Sequence, residues 1–525
     1  MFPLPFISLY LPFAGAMVLL GLRLYHRVVR VRRGVVMNVS RRPLRIFFLL
    51  MLLLNVVFTF VIWMKFRSEG SMLYVLGSGG WTRTMNEGGA VRTVMQVDAL
   101  GAVSALAMSF AALVAGLRTL ADRNNVLAPT KTAFFLLTMC GVQGIFYSNG
   151  LFSLALYFVI AQAGASGLYL GIPSDRGEAA QSVWYYASRA ACTLLFAAGA
   201  VSLCSVYGTS NIAQLASMLK NDARTLTAFV LLATPLLFLF MKSSARVNDA
   251  GRRCFFGIRA QAAFFLLFRV VFSLYGPMPG LEKIPPLFII FGIVMFLTAV
   301  VYSAAESDPL IFAEGMEAFM KGFMLVALGL GLSGTYSAEA AALYGYGALE
   351  AMIGLWLIFL PLSATLSIVC CRLKDRIDDR EIWQVGGLAS VMPFTCVVSV
   401  MMLFSMTGLP PFVGYTARQF LYRTSDSLSP LLMILLFAVS LVQLLYGVRY
   451  LAAVFFGRFA PGRNSGFDGD SAIALPLFFL LIWFSVTSLL PGSTFHSIIS
   501  PTAETLMERG AAPALPHTDP GGASE

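Results

Sequence analysis

Apolar runs of about 18 residues or more recur from one end of this chain to the other, each long enough to cross a bilayer core of about 30 Å. That constraint outranks all others. In hydrocarbon every backbone polar group must be satisfied internally, so a chain built this way folds as packed helices. A transmembrane barrel would show short alternating segments instead. Composition agrees: of 525 residues 58% are hydrophobic and 12% charged, with a mean hydropathy of +0.78. The expected class is an all-α polytopic membrane protein.

About fourteen spans are expected from apolar length and breaker residues, near 2–24, 45–64, 94–120, 129–147, 150–172, 182–207, 223–242, 255–275, 286–305, 312–334, 338–370, 387–421, 430–456 and 472–491. The first run, FPLPFISLYLPFAGAMVLLGL, has no basic segment before it and no small-residue cleavage site after it, and reads as a retained span. The loop RLYHRVVRVRRGVVMNVSRRPLR is arginine-rich, which places it on the cytoplasmic or matrix side. Alternation puts Arg123 with Lys131, the run Arg246 to Arg253, CRLKDRIDDR, and Arg458 with Arg463 on that side too. Both termini then face the intermembrane or periplasmic side. The net charge of +11 therefore reads as topology and contact with anionic lipid, not nucleic acid.

The polar, Gly-rich stretch from Arg67 to Arg92 has room for a hairpin. The tail after the last span, 493–525, is rich in Pro, Gly and Ala and is expected to be disordered. The seven cysteines show neither a disulfide framework nor metal-ligand spacing. None of the three histidines lies in a span, which argues against haem ligation in the membrane.

Two spans carry breakers. Thr234-Pro235 interrupts the seventh, and Gly408 with Pro410-Pro411 interrupts the twelfth, in SMTGLPPFVGYTARQF. They occupy corresponding places in two five-helix blocks, spans 4–8 and 9–13. Matching interruptions in two inverted repeats mark ion sites in secondary transporters. An ordinary proline kink in each is the plain alternative. The organisation expected is an N-terminal three-helix segment (1–128), a first repeat (129–275), a second repeat (286–456) and a final span (472–491).

A charge in the bilayer core costs about 2.5–3.5 kcal/mol on insertion scales, so each one needs a reason. The charged candidates are Arg189, Arg259, Arg269, Lys321, Glu350, Arg418 and Arg449, with Lys242 at a span end. Glu350, about midway along ALYGYGALEAMIGLWLIFL, reads as a proton-relay group or as a structural partner for an arginine. Glu317 and Lys321 are spaced i,i+4 and can pair, but lie near a span end where a lysine can snorkel. Arg269 and Arg449 read as central. Arginine stays protonated and suits a fixed charge, whereas lysine releases its proton readily on burial.

The segment GGLASVMPFTCVVSVMMLFSMTGLPPFVGYTARQFLYR, followed by LVQLLYGVRYLAAVFFGR, resembles the antiporter-like membrane subunits of respiratory complex I, with the double proline and GY most similar to the NADH dehydrogenase subunit 2 branch. Upstream, MQVDALGAVSALAMSF, FFLLTMCGVQGIFYSNGLFSLALYF, WYYASRAACTLLFAAGAVSLCSVYGTSNI and RAQAAFFLLFRVV resemble other segments of the family, in the same order. The resemblance covers most of 94–456. It implies fourteen helices, two inverted five-helix repeats and broken helices 7 and 12. It also implies a part in proton translocation driven by NADH:ubiquinone oxidoreduction, with no cofactor on this chain and NADH, FMN, iron–sulfur clusters and ubiquinone elsewhere in the complex. The implied partners are other membrane-arm subunits, further antiporter-like subunits among them, and phospholipids such as cardiolipin. The implied place is the mitochondrial inner membrane, with the bacterial plasma membrane as the alternative.

The family's path uses a Glu in the fifth span and lysines in the sixth, seventh, eighth and twelfth. Carried over by position, these fall at Val159 (Gln162 one turn on), at Trp184, near Leu237 (Lys242 beyond), near Ala260 beside Arg259, and at Arg418. Only the last keeps its charge. The alternatives to a complex I subunit are a subunit of a multi-subunit sodium/proton antiporter and a scaffold that does not pump.

Overall fold

The computed structural model describes residues 4–33, 41–70, 72–76, 93–121, 129–169, 176–219, 222–242, 250–278, 280–304, 308–377, 386–457, 499–500 and 502–503. Helices dominate, and among the described residues eleven are long and apolar enough to cross a membrane.

The N-terminal group is α1 (Leu4–Arg33), α2 (Arg41–Glu69) and α3 (Ala99–Ala121). Between α2 and α3 lies the expected hairpin, with β1 (Met72–Leu76) antiparallel to β2 (Thr93–Val97). The strand takes residues that apolarity alone assigned to the third span. That span starts at Ala99, because the Asp98 carboxylate accepts from Gly101 N at 2.8 Å and caps the helix.

Next come α4 (Pro129–Tyr147), α5 (Leu151–Tyr169), α6 (Arg176–Tyr207), short α7 (Ile212–Met218), α8 (Ala223–Met241) and α9 (Ala250–Phe268), which runs on as a π-helical turn over Arg269–Tyr275. Then follow α10 (Ile284–Ala304), α11 (Pro309–Gly334), α12 (Ala338–Ala340), a second π-helical turn at Ala341–Gly345, and α13 (Tyr346–Ile377). The series closes with α14 (Pro393–Thr407), α15 (Val413–Leu428) and α16 (Pro430–Phe455).

The two expected breaks behave differently. α8 contains Pro235 within one continuous helix, so this proline does not interrupt it. A lone proline removes one backbone donor and can be carried in a membrane helix whose neighbours satisfy the freed carbonyl. At Gly408–Phe412 the helix does stop. Gly408 takes φ +73, and its N–H caps α14 at Phe404 O. Leu409 N also bonds Phe404 O, at 3.0 Å, and the Pro410–Pro411 bond is cis. Three residues unsuited to helix interiors in four positions end the helix where one does not. The segment expected as one span over 387–421 is therefore two helices.

At the centre of the bundle stands α11, whose membrane window is wholly buried. It packs against α10, α13, α15, α16 and α8. Gly292, Gly322 and Gly329 let α10 and α11 approach closely: a Cβ on Gly292 would lie 2.8 Å from Gly322 O, and one on Gly329 would lie 2.8 Å from Pro285 O. Small residues at the seam replace the hydrophobic drive that lipid removes. α13 packs against α9 and α3 on one side and α11 and α15 on the other. A polar cluster ties α1, α2, α3 and α4: Gln143 Nε2 donates to Asn55 Oδ1 at 2.5 Å and Ser109 Oγ at 2.9 Å, while Asn55 Nδ2 donates to Ser8 O at 2.9 Å. These bonds close on one another and read as structural.

The expected final span, 472–491, lies outside the described residues. Of the tail, Ile499, Ser500, Thr502 and Ala503 are helical, with Ile499 and Ala503 buried, and the rest of 493–525 lies outside the described residues.

Candidate functional site

Arg418 is held over the break. It lies on α15, 1% exposed, and folds back toward the end of α14. Nη2 donates to Met406 O at 2.6 Å, a carbonyl of the last turn of α14. Helix ends leave such carbonyls without intrahelical partners, and a cation there also meets the negative end of the helix dipole. Nη2 donates as well to Gln443 Oε1 at 2.6 Å, and Nη1 to Ser440 Oγ at 2.5 Å. The guanidinium carbon sits 3.8 Å above the Phe323 ring of α11. Tyr422 shares Ser440. Two glycines make room: a Cβ on Gly408 would lie 2.6 Å from Arg418 Cδ, and one on Gly414 would lie 1.9 Å from Ser405 O.

Lys321 and Glu317 lie in the middle of α11 and not near its end. Both are buried on α11, with Nζ 3.6 Å from Oε2. Glu314, also buried, lies one turn before Glu317. Positions 314, 317 and 321 share one arc of the helix. Met320 and Phe323, which touch Arg418, lie on another arc. Lys321 and Arg418 are thus at one level on α11 but address different neighbours. A buried carboxylate–ammonium pair can exchange a proton, and lysine is the cation suited to release one.

A second cation cluster forms where α6, α8 and α9 meet. Arg189 stacks with its guanidinium carbon 4.1 Å from the Tyr185 ring, and Arg259 Nη1 donates to Tyr185 Oη at 2.9 Å. Lys242 Nζ donates to Ser188 Oγ at 3.3 Å. Sequence spacing does not join these three, since they belong to separate elements.

The remaining candidates sit elsewhere. Arg269 is not central. It opens the π-helical turn late in its helix and pairs with Asp98. Glu350 is half-buried in the first turns of α13 rather than midway, and makes no hydrogen bond or ion pair among the described residues. Arg449 is exposed on α16. The carried-over positions also shift. Val159 is 41% exposed and Trp184 70% exposed, so both face outward. The inward polar positions of these helices are Gln162 and Arg189. A helix turns about 100° per residue, so an alignment error of a few residues swaps the inner face for the outer one.

No family model matches the chain. The Na(+)/H(+) antiporter subunit A1 of Staphylococcus aureus (strain JH9) is 23% identical to it over 199 residues, 35% of this chain and 25% of that protein. The protein of strain Newman matches to the same extent. The match thus spans about a quarter of these curated relatives. Three solved structures align with 96% of the chain. A chain of the Mrp complex from Dietzia sp. DQ12-45-1b gives a TM-score of 0.74 at 16% identity, with 98% of it covered. A chain of the membrane-bound sulfane sulfur reductase, an archaeal respiratory membrane complex, gives 0.79 at 15%, with 98% covered. A chain of respiratory complex I from Thermus thermophilus with bound NADH gives 0.73 at 15%, with 99% covered. The chain shares the fold of these three chains. The named sources are bacterial and archaeal and lend no support to a mitochondrial place or to the subunit 2 branch.

Proposed function

We propose that this chain is a proton-conducting, antiporter-like subunit of a multi-subunit membrane complex. The observation that carries the reading is the Glu317–Lys321 pair, buried on a central helix of this fold. Each partner holds the other's charge inside the bundle, and either can pass a proton to the other. Arg418 serves as a fixed charge at the same level of α11. It tunes the pair and anchors the broken helix, and does not carry protons itself. Buried Lys321 and Glu317 favour an active path over a scaffold that has lost its lysines.

Two assemblies fit. The sequence likeness to an Na(+)/H(+) antiporter subunit favours an Mrp-type sodium/proton antiporter. The twelfth-helix motif favours the membrane arm of NADH:ubiquinone oxidoreductase, whose flavin, iron–sulfur clusters and quinone site would lie on other subunits. Isolation from native membranes in mild detergent separates them. Companion antiporter-type membrane subunits alone would give the first assembly; flavin-containing, NADH-oxidising subunits would give the second. Recovery of this chain as a lone monomer under conditions that keep such complexes intact would sink both.

A further inference from the structure

Helix periodicity sets two buried polar side chains, Gln162 of α5 and Arg189 of α6, at one level of the seam between these helices. Phe158 of α5 packs on Phe196 of α6 with ring centroids 5.1 Å apart. Eight residues along, Tyr186 Oη of α6 donates to Ser166 O of α5 at 3.3 Å. Phe158, Gln162 and Ser166 are spaced i, i+4, i+8, so Gln162 lies on the same face of α5, midway between those contacts. On antiparallel α6 that level falls between Tyr186 and Phe196. At about 100° per residue, Arg189 lies on the arc between those two.

Gln162 is 4% exposed and Arg189 5%. Among the described residues, both amide atoms of Gln162 and Nε and Nη1 of Arg189 have no hydrogen-bond partner. Positive charge accumulates beside them. Lys242 reaches Ser188, the neighbour of Arg189, and Arg259 shares Tyr185 with it. Among the described residues no carboxylate pairs with Arg189 or Lys242.

A buried guanidinium with unsatisfied N–H groups is costly twice, in hydrogen bonds and in charge. Water between Gln162 and Arg189 would satisfy the first need and not the second. An anion satisfies both, and the Gln162 amide nitrogen and the two free Arg189 groups are all donors. We propose that the α5–α6 seam binds one small monovalent anion, of the chloride class, between Gln162 and Arg189. The packed helices around the seam select for small size. This assignment stands on the seam geometry and does not depend on proton conduction.

The test uses the purified full assembly, with sodium chloride replacing sodium gluconate at constant ionic strength and thermal unfolding followed by intrinsic fluorescence. The wild type is expected to gain Tm saturably with chloride. Gln162→Glu places a carboxylate in the same space. It is expected to be stabilised already in gluconate and to lose apparent chloride affinity tenfold or more. Arg189→Lys, which keeps the charge but not the planar donors, is expected to weaken chloride affinity as well, and it decides the matter if Gln162→Glu does not assemble. Equal Tm in the two salts would leave only ordered water at the seam and overturn the proposal. So would a chloride response that survives both substitutions unchanged.

Discussion

Replacing Lys321 by methionine is expected to cost about 3–5 kcal/mol and to remove most of the assembled protein from the membrane. Methionine fills much of the lysine's space, so little of the loss comes from packing. The cost is the Glu317 carboxylate left buried in α11 with its cation gone. The double substitution Glu317→Gln with Lys321→Met removes both charges and is expected to recover most of the stability, since a buried ion pair is often near neutral against well-packed uncharged replacements. Thermal unfolding of the detergent-solubilised complex, with the yield of assembled complex, reads both effects. A single mutant as stable as the wild type would show that the pair is not buried as described.

Arg418→Met is expected to be comparably damaging for a different reason. It strands Met406 O and Gln443 Oε1, at about 1–3 kcal/mol for each buried group left unsatisfied, whereas Ser440 Oγ keeps Tyr422 and Leu436 O as partners. It also uncovers the end of α14 at the break. Arg418→Lys keeps the charge but reaches fewer of these acceptors, and it loses the planar stack over Phe323. Its Tm is expected between those of the wild type and Arg418→Met. A lysine variant as unstable as the methionine one would show that charge contributes nothing at this position.

The break and Arg418 were legible in SMTGLPPFVGYTARQF because helix-breaking chemistry is local. A glycine and two prolines act on their own backbone whatever packs around them. The single Pro235 was not decisive, because whether a membrane helix survives one proline depends on neighbours the sequence does not name. The class and most span positions followed from apolar length alone. What apolarity hides is which face looks inward. Lipid and protein interior are equally apolar, so apolarity alone does not show that Lys321 is buried in mid-helix while Arg449 is exposed on α16. The wholly buried α11 has a mean hydropathy of 1.4 and the outlying α16 one of 2.5, so apolarity does not rank the helices by burial. Gln162 and Arg189 were missed as a pair for the same reason. Only the antiparallel seam sets them at one level.

The most direct test of the central claim is potential-driven proton flux into vesicles holding the complex with Lys321→Arg, measured with a pH-sensitive dye per assembled complex. Arginine keeps the positive charge beside Glu317 but does not release its proton. Proton transfer through a buried, exchangeable Lys321 predicts a flux at least tenfold below wild type, with the complex still assembled. Wild-type flux from the assembled variant would contradict it and leave Lys321 as a structural charge.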